Sequence, residues 1–463
     1  MSILSQSADF EKDIDDSISR FIRDFHISSL LKKCNGEKQK GVPAMDILRY
    51  KMANVFKRKS MYMQIKTNHF SGDFSKNTFY RFLNHAGTNW LRFVTLLSAK
   101  IVNEFIRPLT SDDRADAFII DDSLYERKGY KKTQLASKVF DHVSMSYKKG
   151  FRLLTLGYSD GVSFTPINFS LLASSKESNQ IGDFSSFDKR SLAGKRRALA
   201  VEKGTDVMLK LLQYAIKNGH KAKYVLFDSW FSSPHQLVKI KDMGMTSIAM
   251  VKLSTKIHYI YNDKSLNIKQ IYNRCKKRRG RSRYLLSVNV TVGKDAEDEH
   301  PIPAKIVCVR NRANRKEWLA LICTDPDLSE DEIIRIYGKR WDIEVFFKTC
   351  KSYLNLINEC HSLSFDALNA HVAIVFARYM LLSVYQRKDT DERTIGDIFY
   401  ELLDEMEDIT YDRSMLILSE AMLHCVQEIM HLSEDEIDKL ASEFYQRLPE
   451  FIQKALSERN QAA

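Results

Sequence analysis

The sequence predicts an α/β fold: a mixed-sheet core that carries a β-rich insertion and is flanked by helical regions at both ends. Three observations carry that reading. The apolar period changes from helical to strand-like near residue 115. A hairpin signal, Ser159-Asp160-Gly161, sits between two β-type runs. From there to about residue 254, strand-type and helix-type segments alternate.

In chain order, residues 1–112 read as helical and basic. "GVPAMDILRYKMANVFKRK" has Pro43 where a first helical turn tolerates it. "FSKNTFYRFLNHAGTNW" reads as a short helix from near Ser75 to near Gly87, with Lys76, Asn77 and Arg81 outward. An ordinary amphipathic helix competes with a DNA-reading one there. Residues 113–254 form the first part of the core: "DAFIID" is a buried strand ending in acid, and "KYVLFDSWFSSPHQLVKI" is strand, turn and helix. Residues 255–315 are a β-rich insertion, where "SRYLLSVNVTV" and "AKIVCVRN" alternate like exposed strands. Ahead of those strands, "RCKKRRGRSR" holds seven basic residues in ten, among them Lys276, Lys277, Arg278, Arg279, Arg281 and Arg283. A grip on a phosphate backbone is favoured there over a solvated charged loop. Residues 316–360 return to the core, with Ser329 and Glu332 expected as a capping box and Leu328 and Ile333 as its staple. Residues 361–463 read as an acidic helical region.

Composition narrows the function. Of 463 residues, 44% are apolar and 28% charged, which fits a soluble globular chain. The N-terminus lacks a basic start followed by an apolar core, so no secretory signal is expected. "HVAIVFARYMLLSVY" is too short to span a bilayer and carries Arg378, so no membrane is expected. Seven scattered cysteines with no CxxC pair argue for reduced thiols in the cytosol and against structural zinc. From Asp389 onward there are 19 acidic and 6 basic residues, whereas the preceding 388 carry 65 basic and 40 acidic ones. That excess points to a polyanion, most simply nucleic acid.

One stretch carries the chemistry. "IYGKRWDIEVFFKTCKSYLNL" places Tyr337, Arg340, Glu344, Lys348 and Lys351 within about 80° of one another on a continuous helix. Ile336, Ile343, Phe347 and Leu354 form an adjacent apolar stripe. One carboxylate binds hard divalent cations weakly, so partners must converge from other elements. Asp121 and Asp122 end one strand and Asp228 ends another, where acids of an open α/β sheet face its usual crevice.

The spacing Y-x2-R-x3-E-x6-K, at Tyr337, Arg340, Glu344 and Lys351, resembles the signature of the DDE transposases of bacterial insertion sequences, specifically insertion-sequence family four. "IIDDS" resembles that family's first acidic motif and selects Asp121, with Asp122 the alternative; "VLFDSWFSSP" resembles the second and gives Asp228. The likeness covers roughly residues 115–357, with acid spacings of 107 and 116 residues. It implies an RNase H-like core and two Mg²⁺ ions on Asp121, Asp228 and Glu344, with Mn²⁺ a usual substitute. Arg340, Lys348 and Lys351 would then hold phosphates, Tyr337 would hydrogen-bond one, and Trp341 would either stack on an unpaired base or sit in the core. The implied partners are double-stranded DNA, as terminal inverted repeats bound by the N-terminal region 1–112 and as target, and a second copy of the chain, with contacts expected from the C-terminal region. The implied setting is the bacterial cytoplasm, at the nucleoid. Two other readings compete: a nuclease of the same fold without strand transfer, and a DNA-binding regulator without catalysis.

Overall fold

The computed structural model describes residues 17–388 apart from short breaks at 39, 58–59, 69, 71, 112–113, 142–143, 186, 280–281, 294–299 and 311–316, together with Phe399 and most of 422–447. The six N-terminal helices are α1 (Ser17–Asp24), α2 (Ile27–Lys33), α3 (Ala44–Ala53), α4 (Met61–Lys66), α5 (Lys76–Leu83) and α6 (Trp90–Lys100). Their starts are set locally. Pro43 precedes α3, the Ser75 hydroxyl accepts from the Thr78 amide at the head of α5, and Asn89 does the same for Arg92 at α6.

Eleven strands then form one mixed sheet. They are β1 (Ala117–Glu126), β2 (Ser137–Asp141), β3 (Ser146–Ser159), β4 (Phe164–Leu172), β5 (Tyr224–Phe227), β6 (Thr246–Met250), β7 (His258–Tyr261), β8 (Lys264–Asn267), β9 (Tyr284–Val292), β10 (Ile302–Arg310) and β11 (Trp318–Cys323). The order is β2-β3-β1-β5-β6-β11-β10-β9-β7-β8, with β4 on β3. The pairs β1–β5 and β5–β6 are parallel; the others are antiparallel. Ser159-Asp160-Gly161 does turn β3 into β4. The Asp160 carboxylate accepts from the Val162 and Ser163 amides, and Gly161 takes a φ of 89°, which favours glycine. The strands of residues 255–315 extend the core sheet, because β10 pairs with β11 and β11 with β6.

Helices α7 (Leu192–Ala200), α8 (Gly204–Lys217), α9 (Pro234–Asp242) and α10 (Ile268–Arg274) follow. After β11 come α11 (Glu330–Gly338), α12 (Trp341–Ser352) and α13 (Phe365–Lys388); the described C-terminal residues include α14 (Glu434–Arg447). The capping box expected at α11 is half made. Ser329 accepts from the Glu332 amide, but the Glu332 carboxylate turns to Arg335 instead of back to the cap.

Helix α13 corrects the argument from length. Residues Phe365–Arg387 are long and apolar enough to cross a membrane, but that span is buried inside the protein. It packs on α3, α5, α6, α12 and β4. Phe346 of α12 meets Tyr379 at 4.7 Å and Phe376 at 5.1 Å between ring centroids. Arg378, wholly buried, donates to the Glu359 carboxylate at 2.6 Å, and Lys51 of α3 pairs with the same group at 2.6 Å. Asn54 donates to it at 2.9 Å. This charged knot fastens the N-terminal helices to the core.

Candidate active site

Strands β1 and β5 run parallel, and Ile120 pairs with Phe227 as the last register step. Asp228 follows β5 directly, whereas Asp121 and Asp122 do not end their strand as expected: β1 continues to Glu126 because it stays paired with β3, so Asp121 sits mid-strand beside the end of β5. Burial, then the charge of Asp228, pushes the Asp121 carboxyl up to about 7. Asp228 is also raised, chiefly by burial, while its Oδ1 accepts from the Trp230 amide at 2.9 Å.

Helix α12 lies against β1 and supplies the third carboxylate. Arg340 joins strand to helix: its Nη1 is 3.3 Å from Asp121 Oδ2, and its Nη2 is 2.5 Å from Glu344 Oε1. Tyr337 donates to the Phe227 carbonyl oxygen at 3.5 Å, at the end of β5, and burial raises its phenol to about 12. Lys351 donates to Ser123 Oγ at 2.7 Å, two residues along β1 on the Asp121 side. Burial, then Arg152, holds its amino group below the usual lysine range. Lys348 is exposed.

The helix that holds these residues is not continuous. Between α11 and α12 the Lys339, Arg340 and Asp342 amides donate three residues back, at 3.0 Å each. The Lys339 amino group, which donates to the Ala115 and Asp160 carbonyls, ties this tight turn to the sheet. Uniform helical spacing from 336 to 356 therefore fails at the turn. The side chains still meet because Arg340 and Glu344 keep their one-turn relation.

Alternation along β1 separates the two adjacent aspartates. Asp122 pairs with Arg152 of β3, whose Nε donates at 2.8 Å, on the opposite face of the sheet from Asp121 and Ser123. On this geometry Asp122→Asn is expected to lose modest stability, because Arg152 is left half-buried without its carboxylate. Urea unfolding checks this, and a variant as stable as wild type refutes it.

Trp341 is 61% exposed, which corrects the core alternative. Sequence reasoning missed Trp230, 54% exposed and two residues after Asp228, with the Lys252 ammonium 5.2 Å from its ring centroid. The signal was present in "FDSWF". It also missed Arg152, which only strand pairing brings to Asp122. The basic run lies several strands away along the sheet. Lys277 stands over Tyr272 (4.6 Å), which stacks on Trp318 (4.1 Å); Arg278 stands over Tyr284 (4.3 Å), and Arg283 reaches Asp331 at 3.4 Å. Lys276 and Arg279 are exposed, and Arg281 lies outside the described residues.

The donor set is all-oxygen and suits hard divalent cations. Burial is the main reason both the Asp121 and Asp228 carboxyls are raised, with the charge of Asp228 adding to the rise at Asp121, and a bound cation would relieve that cost. As placed, no three metal-ligating side chains among the described residues form a ready cage, and Glu344 is engaged by Arg340. Ligation through Glu344 Oε1 therefore requires Arg340 to release that oxygen.

Asp228 directly follows β5, Asp121 lies on the neighbouring parallel strand β1, and Glu344 stands on the helix packed against β1; the large mixed sheet with its flanking helices is consistent with an RNase H-like core. A family model described as DDE superfamily endonuclease matches residues 45–318, more than half of the chain, and the chain belongs to that family. The match takes in Asp121 and Asp228 and ends before Glu344. No curated protein matches the chain. The family's chemistry is metal-dependent nuclease or transposase action on DNA.

Proposed function

We propose that this protein is a cut-and-paste DNA transposase of a bacterial insertion sequence, of the family-four type. It binds the terminal inverted repeats of its element, pairs them as a homodimer on DNA, cuts the ends and joins them to target DNA. The observation that most supports this reading is that Arg340 joins Asp121 of β1 to Glu344, while Lys351 reaches Ser123 of β1 and Tyr337 reaches the end of β5, next to Asp228.

Asp121, Asp228 and Glu344 hold the metal site in this reading. Two Mg²⁺ ions bound there, with Mn²⁺ able to substitute, supply the charge that activates a water or 3′-hydroxyl and stabilises the leaving oxygen. Arg340 exchanges a carboxylate for a phosphate oxygen when DNA binds, which frees Glu344 and orients the scissile phosphate. Lys351 and Lys348 neutralise the flanking backbone, and the Tyr337 hydroxyl donates to a phosphate oxygen. Exposed Trp341 stacks on an unpaired base beside the cut. The cationic run of the insertion grips duplex DNA further from the cut. The dimer contacts expected from the C-terminal region fall largely outside the described residues.

The test is nicking of duplex DNA that carries the repeats flanking the gene, with Mg²⁺ or Mn²⁺. Glu344→Gln is expected to abolish nicking and to leave DNA binding intact. Wild-type nicking by that variant overturns the catalytic assignment. Joining of the cut 3′ ends to a second duplex separates a transposase from a nuclease that only cuts.

A further inference from the structure

The N-terminal helices carry a second cationic site, separate from the carboxylates. A pocket of about 450 Å³ opens beside α5, and Lys38, Lys40, Thr78, Arg81 and His85 are among the side chains that line it. Its one lining carboxylate, Glu37, is turned to Lys32 at 3.4 Å. Lys38 and Arg81 have no ion pair among the described residues, yet they stand near enough that Arg81, after burial, holds the Lys38 amino group below its usual range. Cations that share a concave site without a counter-charge are a seat for an anion.

The walls of the pocket are fixed. His85 Nδ1 is 2.9 Å from Thr88 Oγ1, which orients the ring. The Asn89 amide donates to the Cys34 carbonyl at 2.8 Å, closing the base of the loop that bears Lys38. The Thr88 carbonyl accepts from Arg196 Nη2 at 2.6 Å, and both Arg196 and Arg197 pair with Asp366 of α13. An anion held here is thus held at a set position relative to the catalytic sheet.

The surroundings identify the anion. The exposed face of α5 continues from the pocket as Lys76, Asn77, Tyr80, Arg81, Asn84 and His85. From Lys76 to Leu83 the helix spans about 10 Å, the axial length of roughly three base pairs. The Lys76 ammonium lies 5.9 Å from the rings of both Tyr62 and Tyr80, which are themselves exposed. A linear, polar and cationic face that runs out of a pocket too large for a single free ion suits a polymer backbone.

We propose that this pocket seats a backbone phosphate of duplex DNA, with Lys38 and Arg81 as its charge partners and His85 and Thr78 as hydrogen-bonding groups. The inference rests on the DNA-processing reading above and assigns it a second, non-catalytic contact.

The experiment measures binding of a fluorescein-labelled DNA duplex by anisotropy over a range of salt concentrations, without divalent metal. The double variant Lys38→Gln/Arg81→Gln is expected to bind roughly tenfold or more weakly near 0.15 M salt, with the log–log salt slope reduced by about 1 to 2. Lys38→Arg/Arg81→Lys restores both values, which a folding defect does not. A double glutamine variant with wild-type affinity and slope overturns the proposal. If wild type cleaves DNA while that slope is unchanged, the pocket assignment fails and the transposase reading stands. If the slope falls but wild type cleaves no duplex with Mg²⁺ or Mn²⁺, the pocket stands and the transposase reading fails.

Discussion

Asp228→Asn and Asp121→Asn are each expected to lower metal-dependent DNA cleavage by at least about 10³-fold, equivalent to about 4 kcal/mol of transition-state stabilisation. The neutral amide keeps the shape of the side chain and removes the anionic oxygen that a hard cation requires. The same substitutions alter stability in the opposite sense. The folded Asp121 carboxyl sits near 7, above its ordinary 3.8, because of burial and then Asp228. A raised carboxyl binds a proton more tightly in the folded state, so wild type loses stability as pH climbs from about 4 to about 7. Asp121→Asn escapes that loss, and in chelator its melting temperature gains on wild type across this window. Mn²⁺ reverses the order, since it raises the melting temperature of wild type and not of either variant. Cleavage assays and melting curves with and without Mn²⁺ check this. Wild-type cleavage by Asp228→Asn, or an equal Mn²⁺ shift in both variants, refutes the metal-site assignment.

Glu359→Gln destabilises the fold by roughly 3–5 kcal/mol, because two buried cations lose their shared anion. Lys51 and Arg378 are almost fully buried, and both pair with the Glu359 carboxylate. Net of its burial, which acts the other way, Arg378 and Lys51 hold that carboxyl well below the usual range. A depressed carboxyl contributes stability above its unfolded pKa and loses it on acidification. The gap between wild type and variant is therefore full at neutral pH and closes as pH falls below about 4.5. Urea unfolding at several pH values measures it. A neutral-pH gap under about 1 kcal/mol, the worth of a surface pair, sinks the argument. Catalytic residues are untouched, so cleavage per folded molecule stays near wild type.

Much of the fold was legible because local physics carried it. A short apolar run gave β1, β-type runs around a hairpin signal gave β3 and β4, alternation gave β9 and β10 but missed β7 and β8, and Ser75 and Ser329 marked helix starts. The expected halves of the capping box did not both form, because Arg335, one helical turn beyond Glu332, offers that carboxylate a charged partner. The length argument against a membrane span failed for α13 because a window of residues cannot show what covers a helix. Here the cover is four other helices and a strand.

The sequence alone determined that an α/β chain with a strongly basic bulk carries acids directly after apolar strand-type runs and a Tyr-Arg-Glu-Lys series at near-helical spacing. These are properties of composition and short-range period, and they survive without knowledge of any distant contact. Tertiary structure decided which acids meet. Parallel register put Asp121 beside Asp228, antiparallel pairing gave Asp122 to Arg152, and a tight turn at Lys339 aimed Arg340 at two carboxylates at once. Those choices depend on residues separated by some 30 to 220 positions, and only the closed sheet brings them within reach of one another.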